Sequence, residues 1–382
     1  MIKFNKACVT GNEQKFINEV IESGDISGDG PFTKKCHAWF KENLGLTYNL
    51  LTTSCSTSLD MAALLLNIQP GDEVILPSFT FVSTANAFVL RGASLKFVDV
   101  RPDTMNLNEK LIEQAITKKT KAIVPVHYAG VACEMDEINA LAKQHHFSVV
   151  EDAAQGVHST YRGRQLGALS DVGCYSFHGT KNYTSAGEGG LLILKSEELY
   201  NQAEILREKG TNRTQFFRGV VDKYTWVAKG SSYLPSDISA AYLYGQLLNF
   251  DKINSRRLEI WNRYQAGLKD LGKSGQLQLP FVPEYCKHNG HMFFIRHQDA
   301  KSSSHFIEFA KQKGITTPFH YIPLHSSVAG KKYGEFIGED RFTTSESAKL
   351  SRLPLYYGLS DQEVDQVIET VHHFSKVSGP KL

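Results

Sequence analysis

The stretch Ser176-Phe177-His178-Gly179-Thr180-Lys181-Asn182, followed by Gly187-Glu188-Gly189-Gly190, decides how this chain is read. A strand-like segment, Val172 to Phe177, enters the turn, and a second, Leu191 to Leu194, leaves it. Short apolar runs bounded by glycine predict buried strands. A single lysine sits in the polar turn between them. Most lysines are solvated surface charges, but one held on such a turn is fixed at a point in space. Its amine attacks a carbonyl only when neutral, so a catalytic role requires a lowered pKa or a preformed Schiff base.

Upstream of this turn, strands and helices alternate. Leu50-Thr52, Val74-Leu76, Leu95-Asp99, Ala122-Val126 and Phe147-Asp152 read as strands. Between them lie helical patterns through Met61 to Leu65, within Phe79 to Phe88, at Asn108 to Ile116 and at Met135 to Lys143. Apolar strands separated by amphipathic helices predict an α/β fold with a mostly parallel, seven-stranded sheet covered on both faces. Ligands of such sheets sit beyond the carboxyl ends of the strands, where Ser54, Pro77-Ser78-Phe79 and Asp152 fall.

Ahead of the sheet, residues 1–48 read as an arm and helices, with Thr33 capping a helix through Phe40 and Leu44. Beyond it, residues 196–211 are helical, 211–235 are loop-rich, and 236–271 form a long helical region. From about residue 275 the pattern changes to strands at 277–279, 292–296 and 315–319 around a helix at 303–313, closed by helices at 344–352 and 361–374. The expected division is a large domain over 1–245, arm included, and a small α+β domain over 246–382 with its connecting helix.

Composition narrows the function classes. A net charge of +2 over 382 residues gives no electrostatic case for nucleic acid or an anionic membrane surface. No apolar run approaches the length of a spanning helix, and Met1 to Asn5 contain no apolar signal core, so a cytoplasmic protein is expected. The six cysteines lie far apart without a CxxC pair, which predicts free thiols and gives a zinc site no support. Gly267 to Ser274 matches the phosphate-loop pattern, yet Gly267 lies inside a helical pattern with no strand before it, so the match reads as chance.

Three further features accompany Lys181. Ser54-Cys55-Ser56-Thr57 lies where a strand turns into a helix, a place that suits a phosphate or an ordinary helix cap. Asp152 ends a strand before Ala153-Ala154-Gln155; it reads as a counter-charge for a pyridine nitrogen or as a cap for the next helix. Phe81 reads as a ring-stacking residue or as core. A lysine, a carboxylate and a phosphate cup on separate strand ends together suggest pyridoxal 5'-phosphate.

With Ser54-Cys55, Phe81, Glu151-Asp152-Ala153-Ala154-Gln155 and Ser176-Phe177-His178-x-Thr180-Lys181-Asn182 in this order, the chain resembles the DegT-type nucleotide-sugar aminotransferases. These are fold-type I pyridoxal-phosphate enzymes of the aspartate aminotransferase architecture. Gly71-Asp-Glu-Val-Ile, Phe81 to Ala93, Pro125 to Asp136, Gly210-Thr-Asn-Arg and His320-Tyr-Ile-Pro-Leu-His325 are similar to members that aminate a dTDP-linked keto-deoxy sugar with L-glutamate, releasing 2-oxoglutarate. The resemblance implies that Lys181 is the Schiff-base lysine and Asp152 the partner of the ring nitrogen. By the same resemblance Gln155 would meet the ring oxygen, Phe81 would stack, and Ser54, Cys55 and Ser176 would hold the phosphate. It also implies a homodimer with shared active sites, where an asparagine of a Gly-x-Asn-x-Arg segment reaches the neighbour's phosphate. Here Ser232 replaces that asparagine and Leu234 the arginine, and Gly179 stands where relatives carry glutamate. Arg213, Arg218, His320, Tyr321 and His325 are candidates for sugar-nucleotide contact. Retention of the lysine favours transamination over dehydration. Another sugar ketone, stereochemistry or nucleotide, or a regulator without turnover, stays an alternative.

Overall fold

The computed structural model describes residues 1–378. Its centre is an eight-stranded sheet in the order Tyr48–Thr52, Gly190–Leu194, Val172–Ser176, Ser148–Asp152, Thr120–Ile123, Glu73–Pro77, Ser94–Val98, Gly334–Phe336. Gly190–Leu194 pairs antiparallel with both neighbours, while every other pairing between adjacent strands is parallel. Seven strands therefore run one way and one runs back. The carboxyl ends Thr52, Pro77, Asp152 and Ser176 share an edge with the start of the reversed strand, Gly190. All seven expected strands are present. The eighth comes from the C-terminal third of the chain and pairs with Ser94–Val98 at the sheet's edge.

The strands form because both sheet faces are covered. Residues such as Val74, Ile75, Leu76, Val150, Val172, Leu191 and Leu192 are fully or almost fully buried. Two apolar clusters flank the sheet, one under the helices Pro31–Leu44, Met135–His145 and Asp237–Leu247, the other under Cys55–Leu65, Val82–Val89 and Glu197–Arg207. A third cluster gathers Ile260 to Phe374 with Ile2 of the N-terminal arm. The arm joins it by backbone: Ile2 N–H donates to the Gly314 carbonyl at 2.8 Å, and Thr316 N–H to that of Ile2 at 3.1 Å.

Several local expectations are corrected. Asn108 to Ile116 forms two short 3-10 turns, Glu109–Leu111 and Glu113–Ala115, rather than an α-helix. The helix expected at 344–352 ends at Ala348 and gives way to the strand Leu350–Leu353, which pairs with Phe293–Arg296. Residues 277–279 and 315–319 make only isolated bridges, Gln278 to Arg296 and Ile315 to Ile2. The helix expected to start from Thr33 begins at Pro31, whose fixed φ suits the first turn. The Asp237 side chain accepts from the Phe32 and Thr33 N–H groups at 2.9 and 2.7 Å and satisfies that helix start. Residues 236–271 hold three helices, Asp237–Leu247, Phe250–Gly267 and Lys269–Lys273. Gly267 ends the second, so the phosphate-loop match lacks the strand it needs. All six cysteines are free and buried. Among the described residues no helix is long and apolar enough to cross a membrane.

One packing detail sets a pH response. His37 accepts the Leu51 N–H on Nε2 at 2.9 Å, and burial, reinforced by Arg207, lowers its pKa to about 3. The unfolded imidazole takes its proton near pH 6.5, at roughly its free value, while the folded one stays neutral to about pH 3. Proton uptake therefore favours the unfolded chain below about pH 6.5, and stability falls as pH falls through that window. His37→Gln keeps an acceptor without titrating. Its melting temperature is expected to drop less than the wild type's between pH 7 and pH 5; equal drops would refute the assignment.

Candidate active site

A cavity of about 750 Å³ opens at the shared strand edge. Lys181, Asp152, Ser54, Cys55, Phe81, Gln155, Ser176, His320 and Tyr321 all line it. The chain thus brings together nine of the residues singled out in the sequence.

The Lys181 turn is pinned from several sides. Its N–H donates to the His178 carbonyl at 2.9 Å, Gly179 N–H to Gly187 at 2.8 Å, and Ser185 N–H to Phe177 at 2.9 Å. The Asn5 amide from the N-terminal arm donates to the Gly179 carbonyl at 3.1 Å. A Cβ on Gly179 would meet nothing closer than 3.7 Å, so the space would take a side chain. Burial lowers the Lys181 pKa; Cys55 and Asp152 push it back up, and Arg352 pushes it down. The net shift is downward, toward the neutral form that attacks a carbonyl.

Asp152 is buried at the end of its strand. Its Oδ2 accepts from the Thr84 hydroxyl at 2.7 Å and its Oδ1 from the Ala154 N–H at 3.1 Å. Thr84 spends its proton on Asp152 and so accepts from Thr80, whose oxygen lies 2.8 Å away. These bonds orient the carboxylate and leave lone pairs free toward the cavity.

The helix Cys55–Leu65 starts at the cavity wall. Ser54 caps it, accepting the Thr57 N–H at 3.1 Å, while the Thr57 hydroxyl accepts the Ser54 N–H at 3.0 Å. Burial pushes the Cys55 thiol well above its usual pKa, with Asp152 adding to the effect, so the thiol stays neutral. Its share in holding an anion falls to its backbone N–H. Gly190 pairs with Thr52 on one side and Ser176 on the other. A Cβ on Gly190 would lie 2.4 Å from the Ser54 carbonyl carbon and 2.6 Å from Cys55 N. Only glycine lets the helix start, Ser176 and the reversed strand meet this closely, and they form a cup of N–H and hydroxyl groups suited to a phosphate.

Phe81 is 56% exposed and faces the cavity, which rules out the core reading. The Gln155 carbonyl oxygen accepts the Ala129 N–H at 2.7 Å, and its amide nitrogen donates to the Tyr321 hydroxyl at 3.0 Å, leaving one amide hydrogen. His320 stacks on Tyr321 with ring centres 3.6 Å apart and shares a hydrogen bond with Tyr128 at 2.8 Å.

Four expected residues lie outside this cavity. His325 bonds Ser78 at 2.7 Å and faces Asp340 at 3.1 Å, a link within the protein rather than a substrate contact. Arg213 pairs with Glu208 at 3.2 Å, and Arg218 grips Glu204 through both terminal nitrogens at 2.9 and 2.6 Å. Ser232 is exposed and bridges to Glu208, although its neighbour Tyr233 accepts the Thr53 N–H at 3.1 Å beside the cup.

The sequence reading also missed lining residues. His291, Arg352, Phe4 and Asn5 all face the cavity. Asn182 holds the His291 ring through a 2.8 Å bond to Nδ1, and its own amide donates to the Asn289 carbonyl at 3.0 Å. Nδ1 therefore carries the proton and Nε2 is the free acceptor. Burial, then Lys181, keeps this histidine neutral. Asn182 stood beside Lys181 in the quoted motif, but its partner is 109 residues away and leaves no local signal.

A buried lysine with a lowered pKa, an oriented buried carboxylate and a glycine-lined phosphate cup at one sheet edge define a fold-type I pyridoxal-phosphate enzyme, and the residues present fit that cofactor. Residues 7–372 match the DegT/DnrJ/EryC1/StrS aminotransferase family. The chain is 33% identical over 368 residues to the spore coat polysaccharide biosynthesis protein SpsC of Bacillus subtilis, covering 94% of this chain and 93% of that one. It is similar to the crystal structure of the aminotransferase TlmJ from Streptoalloteichus hindustanus, with a TM-score of 0.91 and 31% identity over 99% of this chain and 100% of that one. Spr1654 of Streptococcus pneumoniae in its PLP form superposes with a TM-score of 0.87 at 28% identity, covering 98% of each chain. The chain belongs to the DegT/DnrJ/EryC1/StrS family of sugar aminotransferases, and its cofactor is pyridoxal 5'-phosphate.

Proposed function

We propose that the chain transfers the amino group of L-glutamate to the C4 ketone of dTDP-4-keto-6-deoxy-D-glucose, giving dTDP-4-amino-4,6-dideoxy-D-galactose and 2-oxoglutarate. The observation that carries amino-group transfer is the Lys181 amine, lowered in pKa by burial, in one cavity with the oriented Asp152 carboxylate. Support for the C4 ketone and the galacto product is the likeness of Phe81 to Ala93, Pro125 to Asp136 and His320 to His325 to transaminases of that sugar.

Bound pyridoxal phosphate supplies an electron sink for the pair left behind when a C–H proton departs. The residues do the rest. Lys181 would hold the cofactor and serve as the acid and base that moves a proton at the substrate carbon. Asp152 would serve as the counter-charge to the pyridine nitrogen. Ser54, Ser176 and the Cys55 N–H would hold the phosphate, Phe81 would pack on the ring, and the spare Gln155 amide hydrogen would be available to the ring oxygen. His320 and Tyr321 line the substrate's side.

We also infer a cytoplasmic homodimer with shared sites. The six free buried thiols fit a reducing compartment. The 211–235 loop carries Phe217, Trp226 and Val227 at 69%, 77% and 50% exposure, an apolar surface that a second copy of the chain would cover. In that arrangement Ser232 sits near the neighbour's phosphate, and Arg213 and Arg218 lie toward the nucleotide.

The direct test incubates the holoenzyme with L-glutamate and dTDP-4-keto-6-deoxy-D-glucose and identifies the product by NMR. A gluco amine, a C3 amine or no amine would overturn the substrate assignment. For the shared site, mixing Lys181→Ala with a variant disabled in the 211–235 loop is expected to restore activity in hybrid dimers, because one of their two sites is then intact. No recovery despite proven subunit exchange would return the loop to a structural role.

A further inference from the structure

Ser78 follows the strand Glu73–Pro77 and meets the segment after Tyr321 three times. Its carbonyl accepts the Leu324 N–H at 2.9 Å, its hydroxyl oxygen accepts the His325 N–H at 3.0 Å, and the same oxygen lies 2.7 Å from His325 Nδ1. On its far side the His325 ring faces Asp340, with Nε2 3.1 Å from Oδ2. The carboxylate favours a proton on Nε2, so in the neutral ring Nδ1 is bare and takes the Ser78 hydroxyl proton. Asp340 is held in turn by Thr344, whose N–H and hydroxyl donate to it at 3.0 and 2.5 Å. Asp99, which follows the strand Ser94–Val98, accepts the Arg341, Phe342 and Thr343 N–H groups at 3.1, 3.0 and 2.8 Å. The segment carrying Asp340 is thereby tied to the large sheet.

This clip joins two walls of the cavity. Phe81 lies three residues after Ser78, and Tyr321 three residues before Leu324. The two rings are 6.3 Å apart, centre to centre. Phe79 packs on Tyr321 and His320 with ring centres 5.5 and 6.1 Å away. Beyond Tyr321 the link reaches Gln155. Its oxygen is held by the Ala129 N–H and one amide hydrogen by the Tyr321 hydroxyl, so the place of Tyr321 sets where the other hydrogen points. A serine, a histidine and an aspartate in a row suggest a nucleophile, but Ser78 is fully buried and reaches no ligand. The row is a brace between a strand end and the loop that carries His320 and Tyr321.

We propose that His325 is a positioning residue for the reaction: with Ser78 and Asp340 it sets the spacing of Phe81 and Tyr321 and, through Tyr321, aims the spare Gln155 hydrogen at the cofactor's ring oxygen. This rests on Gln155 and Phe81 serving the cofactor as proposed above. The path is short and stiff. Only Ile322 and Pro323 separate Tyr321 from Leu324, and the proline ring fixes its own φ. Both ends of the path are bonded, so a shift at His325 is passed to Tyr321 rather than absorbed by a slack loop. Positioned groups lose much of their effect when displaced by about 1 Å.

The test compares the holoenzyme with its His325→Ala, Ser78→Ala and doubly substituted variants. The absorbance of the bound cofactor is titrated with pH, because a hydrogen bond to the ring oxygen favours its ionised form and lowers the midpoint. In both single variants the midpoint is expected to rise by about half a unit to one unit, the worth of one hydrogen bond. The keto-sugar KM should rise about tenfold in both. The double variant should be within about twofold of the poorer single one, as for residues that act as a unit. Asp340→Asn keeps an oxygen beside Nε2 and should lose less than Asp340→Ala. If His325→Ala does not fold, Ser78→Ala and the two Asp340 variants decide. A midpoint that stays at the wild-type value, even with a lowered melting temperature, would make the clip merely structural and overturn the proposal. A KM loss in His325→Ala that Ser78→Ala does not share would make His325 a substrate contact and overturn it too. The midpoint needs no sugar. If the keto sugar proves not to be a substrate while the midpoint moves in both variants, the functional reading fails and the clip stands.

Discussion

Lys181→Ala is expected to abolish turnover and leave the fold intact. On the proposed assignment, this amine would both hold the cofactor and move a proton at the reacting carbon. Proton transfer by a positioned side chain is worth about 10²–10⁴ in rate, and loss of the covalent link adds to that. The fold should not suffer, because burial disfavours the charged amine and alanine removes that cost. The turn keeps its backbone bonds to His178, Gly187 and Phe177. The variant should melt at or above the temperature of the cofactor-free wild type and should lack the absorbance that borohydride removes. Turnover near the wild-type rate would reassign the site.

Asp152→Asn carries the second-largest effect. The side chain keeps its size, and its oxygen can still accept from Thr84, which donates to Asp152 at 2.7 Å. What disappears is the negative charge. Removing a preorganised electrostatic partner costs on the order of 10²–10³ in rate. The loss should lie in the proton-transfer step, so a deuterium isotope effect on the glutamate half-reaction should rise while cofactor stays bound. Asp152→Glu restores charge at the wrong distance and is expected to recover only part of the rate. A change of less than about twofold in the Asn variant, far below that scale, would leave Asp152 only as the anchor of the turn at Ala154; no helix follows it to be capped.

The sequence made most of the large sheet legible, for a physical reason. Strands buried on both faces must be apolar throughout, and Val74 to Leu76 or Leu191 to Leu194 show this without help from context. Gly334–Phe336 escaped because it is three residues long, lies at an edge, and contains the exposed Glu335. Leu350–Leu353 was read as helix because it directly follows one, with Lys349 the only residue between them. The site was legible where function sits on strand ends. Ser54, Asp152 and Ser176 are fixed to the sheet by the residues just before them. It was illegible where tertiary contact decides. Nothing local says that Glu204 and Glu208 engage Arg218 and Arg213, that Ser78 and Asp340 hold His325, or that the N-terminal arm brings Phe4 under Arg352.

The reversed strand has a consequence for how the protein comes to exist. Gly190 pairs with both Thr52 and Ser176, so the phosphate cup is a junction of chain segments well over a hundred residues apart. Closing so long a loop is slow, because the entropy is lost before the contacts form. Until Gly190 pairs with Thr52 and Ser176, a folding chain lacks the cup, and on the proposed assignment it would hold cofactor weakly. Cofactor capture therefore comes late in folding. Once made, it stabilises the finished sheet by mass action, so vitamin B6 supply would act on the yield of folded enzyme as well as on its rate.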